Sequence, residues 1–226
     1  MVHPWTICVV LISFSWLFLP TLATSQTSSI TDTVRSLRAI GYPDESENDV
    51  PPLGRPLLTQ LKHQLRDLIA ETLNERGQRA RTPQQIRSAV LRHLKELGVG
   101  LKPVSPEHQK TPGPESYKYG YIYDIQIQQP EAHKELLVAV TRLQVNPGSD
   151  SSIYVFEKAE QRWSLILAQE ANDYPTIAGA QAGLKYGVSP PDANGQWFLA
   201  TTHVNLWCTS MWQGLYYRVL RLGTNP

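Results

Sequence analysis

Residues 135–145 read ELLVAVTRLQV, and their centre, Leu136 to Val140, is apolar without alternation. An uninterrupted apolar run of this length, with Val138 and Val140 β-branched, fits a strand covered on both faces better than a helix. One such strand asks for layers on either side of its sheet. Upstream, Tyr119, Tyr121, Tyr123, Ile125 and Ile127 alternate with Lys118, Gly120, Ile122, Asp124, Gln126 and Gln128. Period-two spacing predicts a strand with one aromatic face. Downstream, Ser152–Glu157 and Arg162–Gln169 form a predicted hairpin across the polar residues KAEQ, and Trp197–Val204 and Gly214–Leu222 form a second. Six strands joined in order predict an antiparallel β-meander domain over 117–226, built as an open sheet, half-barrel or sandwich.

The preceding residues read as helix. Leu57, Leu58, Leu61, Leu65, Leu68, Ile69 and Leu73 recur at helical spacing, with Lys62, Arg66, Asp67, Glu71 and Glu75 between them as the polar face. Gly77 is a plausible stop. Thr82, Pro83 and Gln85 supply a cap, a residue suited to the first helical position and a capping box. Ile86, Ala89, Val90, Leu94 and Leu97 form the next stripe, and Gly98 stands where a left-handed terminator is wanted. Residues 57–98 are therefore expected to form a helical hairpin, followed over 99–116 by a linker with four prolines. Residues 26–56 are polar and end in an acidic, Pro-rich linker, with a short helix expected over Thr31–Ile40. The fold class is α+β.

The N-terminus, 1–25, has the form of an export signal. Ile7–Leu19 is thirteen uncharged residues, shorter than the roughly 20 needed to span a bilayer and suited to a signal h-region. Small residues follow, placing cleavage after Ala23 or Ser25. The n-region carries His3 but no Lys or Arg, so an uncleaved anchor is the competing arrangement. Cleavage removes Cys8 and leaves Cys208 as the one thiol, either buried, reactive or joined to a second chain. The expected location is secreted or periplasmic.

Charge is uneven. Residues 55–102 hold ten Lys/Arg against four Asp/Glu. Arg76, Arg79, Arg81, Arg87, Arg92 and Lys95 could meet an anionic lipid or envelope polymer, although such helix faces are usually just solvated. An exported chain rarely meets nucleic acid. His63, His93, His108, His133 and His203 are scattered without zinc spacing, DESEND lacks the pattern of a calcium loop, and there is no Gly-rich phosphate loop. No metal or cofactor is expected.

Two places could carry function. Residues 170–195 run long between strands, with three prolines and four glycines. They read as a binding loop offering Asp173, Tyr174, Lys185 and Tyr186, with a helical turn over Ile177–Leu184, or as a crossover packed on the sheet. The turn NLWCTSMW, 205–212, sets Trp207 and Trp212 around Cys208; such residues suit a contact surface or cap a β core. A Cys208 nucleophile with His203 as base and Asp173 as orienter is chemically sensible but matches no motif. His203 shares its strand face with Trp197 and Leu199, where a core histidine is commoner. These features favour a non-enzymatic binding or interaction module of the cell envelope or exterior, meeting protein, glycan or an anionic surface. The alternatives are a hydrolase with its site between 170–195 and His203, and a structural envelope component.

Overall fold

The computed structural model describes residues 29–40, 50–75, 82–101, 119–145, 148–172, 180–205 and 214–222. The export signal, Cys8, Cys208, Trp207, Trp212, Asp173, Tyr174, Arg76, Arg79, Arg81, His108 and the proline-dense 102–118 lie outside them. Among the described residues three helices come first: α1 (Ile30–Ala39), α2 (Gly54–Asn74) and α3 (Pro83–Glu96). Seven described strands follow: β1 (Ile122–Gln128), β2 (Leu136–Gln144), β3 (Ser149–Ala159), β4 (Arg162–Gln169), β5 (Gln181–Val188), β6 (Trp197–Asn205) and β7 (Leu215–Leu222). They form two antiparallel meanders, β1-β2-β3-β4 and β5-β6-β7. The class is α+β, as expected. No described helix is long and apolar enough to cross a membrane.

The caps follow from the residues. Ser29 accepts from the Asp32 N–H at the start of α1. Thr82 and Gln85 close the anticipated capping box on α3, and Gly98 takes φ 73°, with Val99 N–H donating to Leu94 O at 2.8 Å. Thr31 Oγ1 donates to Leu97 O at 2.8 Å, tying α1 to the end of α3.

The four-stranded sheet is covered on both faces. Leu137, Ala139 and Leu143 of β2 and Tyr154 and Phe156 of β3 join Leu58, Leu61, Leu65 and Ile69 of α2 in one buried cluster. Leu136, Val138, Val140, Ile153 and Val155 point the other way, against Leu184, Trp197 and Leu199 of the three-stranded sheet. Alternate side chains of a strand leave opposite faces, so the run LLVAV supplies both layers at once. The order is helices, four-stranded sheet, three-stranded sheet.

The short helix expected over Thr31–Ile40 is present as α1, and it packs on α2 through the same core. Three readings change. Residues 170–195 contain strand β5, so the segment is not a loop throughout and residues 181–184 are extended rather than helical. The aromatic face over 119–127 is broken by a register shift between Ile122 and Asp124. The bulge moves Ile122 onto the same core as Ile125 and Ile127, leaving Tyr121 and Tyr123 half-buried. Lys62, assigned to the polar face of α2, is fully buried.

Candidate functional site

The second sheet is dry on one face and open on the other. Its inner face carries Leu184, Trp197, Leu199, Leu220 and Leu222 against the first sheet. Its outer face is set by pairing. Leu215 lies opposite Val204, Tyr217 opposite Thr202, Val219 opposite Ala200 and Arg221 opposite Phe198, while Lys185 flanks Thr202 from β5. Leu215, Tyr217 and Val219 are 69%, 76% and 59% exposed, and Phe198 is 40% exposed. Single exposed apolar residues are ordinary, but four contiguous ones on one sheet face mark a contact surface. β7 is also an edge: among the described residues nothing pairs with its outward backbone. β7 holds no proline and no bulge, two devices that commonly protect an edge, and its register with β6 is continuous. The cations Arg218, Arg221 and Lys185 are the charges on this hairpin sheet.

The sequence-predicted residues fall around it. His203 is buried on the inner face with Trp197 and Leu199, as its strand phase required. Its ring stacks on Tyr216, centroids 5.3 Å apart and 12° between planes, and among the described residues Nδ1 has no hydrogen-bond partner. Burial first, and then the Arg218 charge, hold its pKa below the ordinary histidine value, against a smaller opposing pull from Asp150. Tyr186 is half-buried between the sheets and donates to Gln128 Oε1 at 2.7 Å, and burial raises its pKa. Trp207, Cys208 and Trp212 belong to the connection between β6 and β7, and Asp173 and Tyr174 to the one before β5. All five lie outside the described residues.

The basic face of α3 is partly committed to the fold. Arg87 Nε donates to Ile125 O at 2.6 Å and approaches Asp124, and Arg92 lies 3.9 Å from Glu96. Among the described residues no group of three or more His, Cys, Asp or Glu could hold a metal ion. A hollow of about 650 Å³ between α1 and the start of α2 is lined by Ala39, Ile40, Pro51, Pro52, Leu53 and Leu57, with no titratable group.

A second feature escaped sequence reading. Where α2 crosses the junction of the two sheets, Lys62 Nζ contacts Asp150 Oδ2 and donates to Ala171 O. Asp150 Oδ1 accepts the Gln181 N–H at 2.7 Å. Beside them Tyr154 OH donates to Lys62 O at 3.3 Å, and burial together with the neighbouring Glu170 carboxylate pushes its phenol pKa up. Glu170 is nearly buried and faces His63 and Arg66 of α2. Gln169 donates to Gln181 Oε1 at 2.8 Å and accepts from Thr201 at 3.0 Å. Helix, first sheet and second sheet are thus joined by buried polar contacts. The only sequence signal was a lysine one position from the apolar stripe of α2, and its partner is remote in the chain.

Comparison with known proteins finds no match to any family model, curated protein or solved structure.

Proposed function

We propose that the chain is an exported, non-catalytic binding module that takes up an extended segment of a partner protein along β7. The observation that carries this reading is the contiguous exposed face of Phe198, Leu215, Tyr217 and Val219 beside the open edge of the same hairpin. A strand added to a sheet edge gains main-chain hydrogen bonds, and its alternate side chains are read by the faces it extends. Arg221 on the exposed face and Arg218 on the opposite one favour a segment that carries acidic as well as apolar residues. A second copy of β7 would bring the same arginines to the interface, which disfavours self-pairing. The export half of the reading rests on the Ile7–Leu19 run and the small residues after it, and N-terminal sequencing of the mature chain checks it.

A short acetylated peptide alternating Val with Glu is the probe. Titrated against the protein and followed by amide NMR, it is expected to bind in the micromolar range, shift β7 resonances and weaken as salt rises. The same peptide with Lys for Glu is expected not to bind, and Tyr217→Glu with Val219→Glu in the protein abolishes binding of the acidic peptide. No binding by either peptide, or equal binding by both, would refute the reading, and a concentration-dependent dimer with protected β7 amides would replace it with self-pairing.

A further inference from the structure

We infer that Lys62 and Asp150 are joined by a covalent side-chain amide, formed within the folded chain. This inference is independent of the binding surface. Both side chains are wholly shielded from solvent, and the amine nitrogen lies against one carboxyl oxygen. Two ions held away from water carry a heavy desolvation penalty that their attraction only partly offsets. Transfer of one proton from Nζ to Oδ2 removes both charges and yields the reacting forms, an amine and a carboxylic acid.

The reaction closes without any other reagent. The Nζ lone pair attacks Asp150 Cγ, one C–N bond forms, the Cγ–Oδ2 bond breaks, and Oδ2 leaves with two protons from the nitrogen as one water. No electron acceptor or activated leaving group is required. Well-oriented partners on one scaffold react as though one were present at about 10⁵–10⁸ M. A dry site also keeps water, the reagent of the reverse reaction, away from the product.

The surroundings fit the product. A secondary amide has one N–H and one carbonyl oxygen to satisfy. Ala171 O already accepts from Nζ, and Gln181 N–H already donates to Oδ1 at 2.7 Å, the oxygen that is retained. Oδ2, the atom in contact with the nitrogen, is the one lost. Tyr154 OH, bonded to Lys62 O, braces the turn of α2 that presents the amine. The bond would fasten α2 to the start of β3, next to the point where β5 begins, in a chain whose two cysteines cannot both survive removal of an N-terminal signal.

Peptide mapping of the purified, fully unfolded and digested protein tests it. Trypsin is expected to leave Lys62 uncut and to yield a branched peptide joining that segment to Leu143–Lys158, lighter than the two linear peptides by one water. Asp150→Asn is expected to reach the same final mass as the wild type, because it expels ammonia in place of water. Lys62→Arg keeps the ion pair but not the nucleophile and is expected to show the full sequence mass. A well-folded wild-type protein that gives two linear peptides, with Lys62 cleaved and open to amine labelling after unfolding, overturns the inference. If the variants fail to fold, the wild-type map alone decides it.

Discussion

Gly120 sits just before β1 with φ +82° and packs against helix α1. A Cβ built there would lie 2.9 Å from Leu37 Cβ and 3.1 Å from Val34 O. Neither atom is the far end of a flexible side chain, and both Val34 and Leu37 are buried. Gly120→Ala therefore meets two penalties. The left-handed backbone costs an L-residue about 1–2 kcal/mol, and overfilling a packed site costs about 1–3 kcal/mol more. The sum is about 2–5 kcal/mol. Gly98→Ala separates the two: its φ is +73°, yet a Cβ there would meet nothing within 4 Å. Only the backbone penalty, about 1–2 kcal/mol, applies. With a urea m-value of about 2 kcal/mol/M, the midpoint falls by roughly 1–2.5 M for Gly120→Ala and by roughly 0.5–1 M for Gly98→Ala. Equilibrium unfolding followed by circular dichroism measures both. Equal shifts, or a larger one at Gly98, would show that α1 does not bear on the sheet at this point.

Trp197→Ala is expected to cost about 3–5 kcal/mol, because the indole is buried between the sheets against His133, ring centroids 5.3 Å apart; a melt unchanged within error would refute the inter-sheet core. Thr82→Ala removes the Oγ1 that accepts from the Gln85 N–H, one half of the capping box, and should lower stability by about 1 kcal/mol in the same urea assay. His203 has a folded pKa below its unfolded one, so the unfolded chain binds the extra proton. The associated stability is present above the unfolded value, about 6.5, and is lost as pH falls towards the folded pKa. Urea midpoints at pH 8 and pH 5 should therefore fall further apart in the wild type than in His203→Gln, and identical spacing would count against the buried imidazole.

What the sequence discloses depends on how local the cause is. The caps of α3 and the left-handed Gly98 were legible because a few adjacent residues determine them. The two-sided burial of β2 was legible because LLVAV allows no polar face. Strand β5 was not: QAGLKYGV has two glycines and one valine, so its extended form comes from pairing with β6 rather than from propensity. The bulge in β1 was hidden for a similar reason, since register exists only relative to β2. Lys62 shows the limit most clearly. On α2 alone it borders a charged face, and only Asp150 and Ala171, brought in by tertiary packing, give a buried amine its partners. The candidate surface was legible in part. The sequence drew attention to the β6–β7 connection, but the exposed row on β7 needed the layer order to tell which alternate residues face out.

Among the described residues, each strand's strand partners are its neighbours in the chain. Each sheet can therefore be assembled in the order in which its residues emerge, each new strand finding its partner already made. A chain threaded through a membrane pore from its N-terminus would not have to hold an early strand open for a late one. The docking of β5–β7 onto the finished first sheet would be the one step that waits for nearly the whole chain, and non-local steps of that kind are the slow ones.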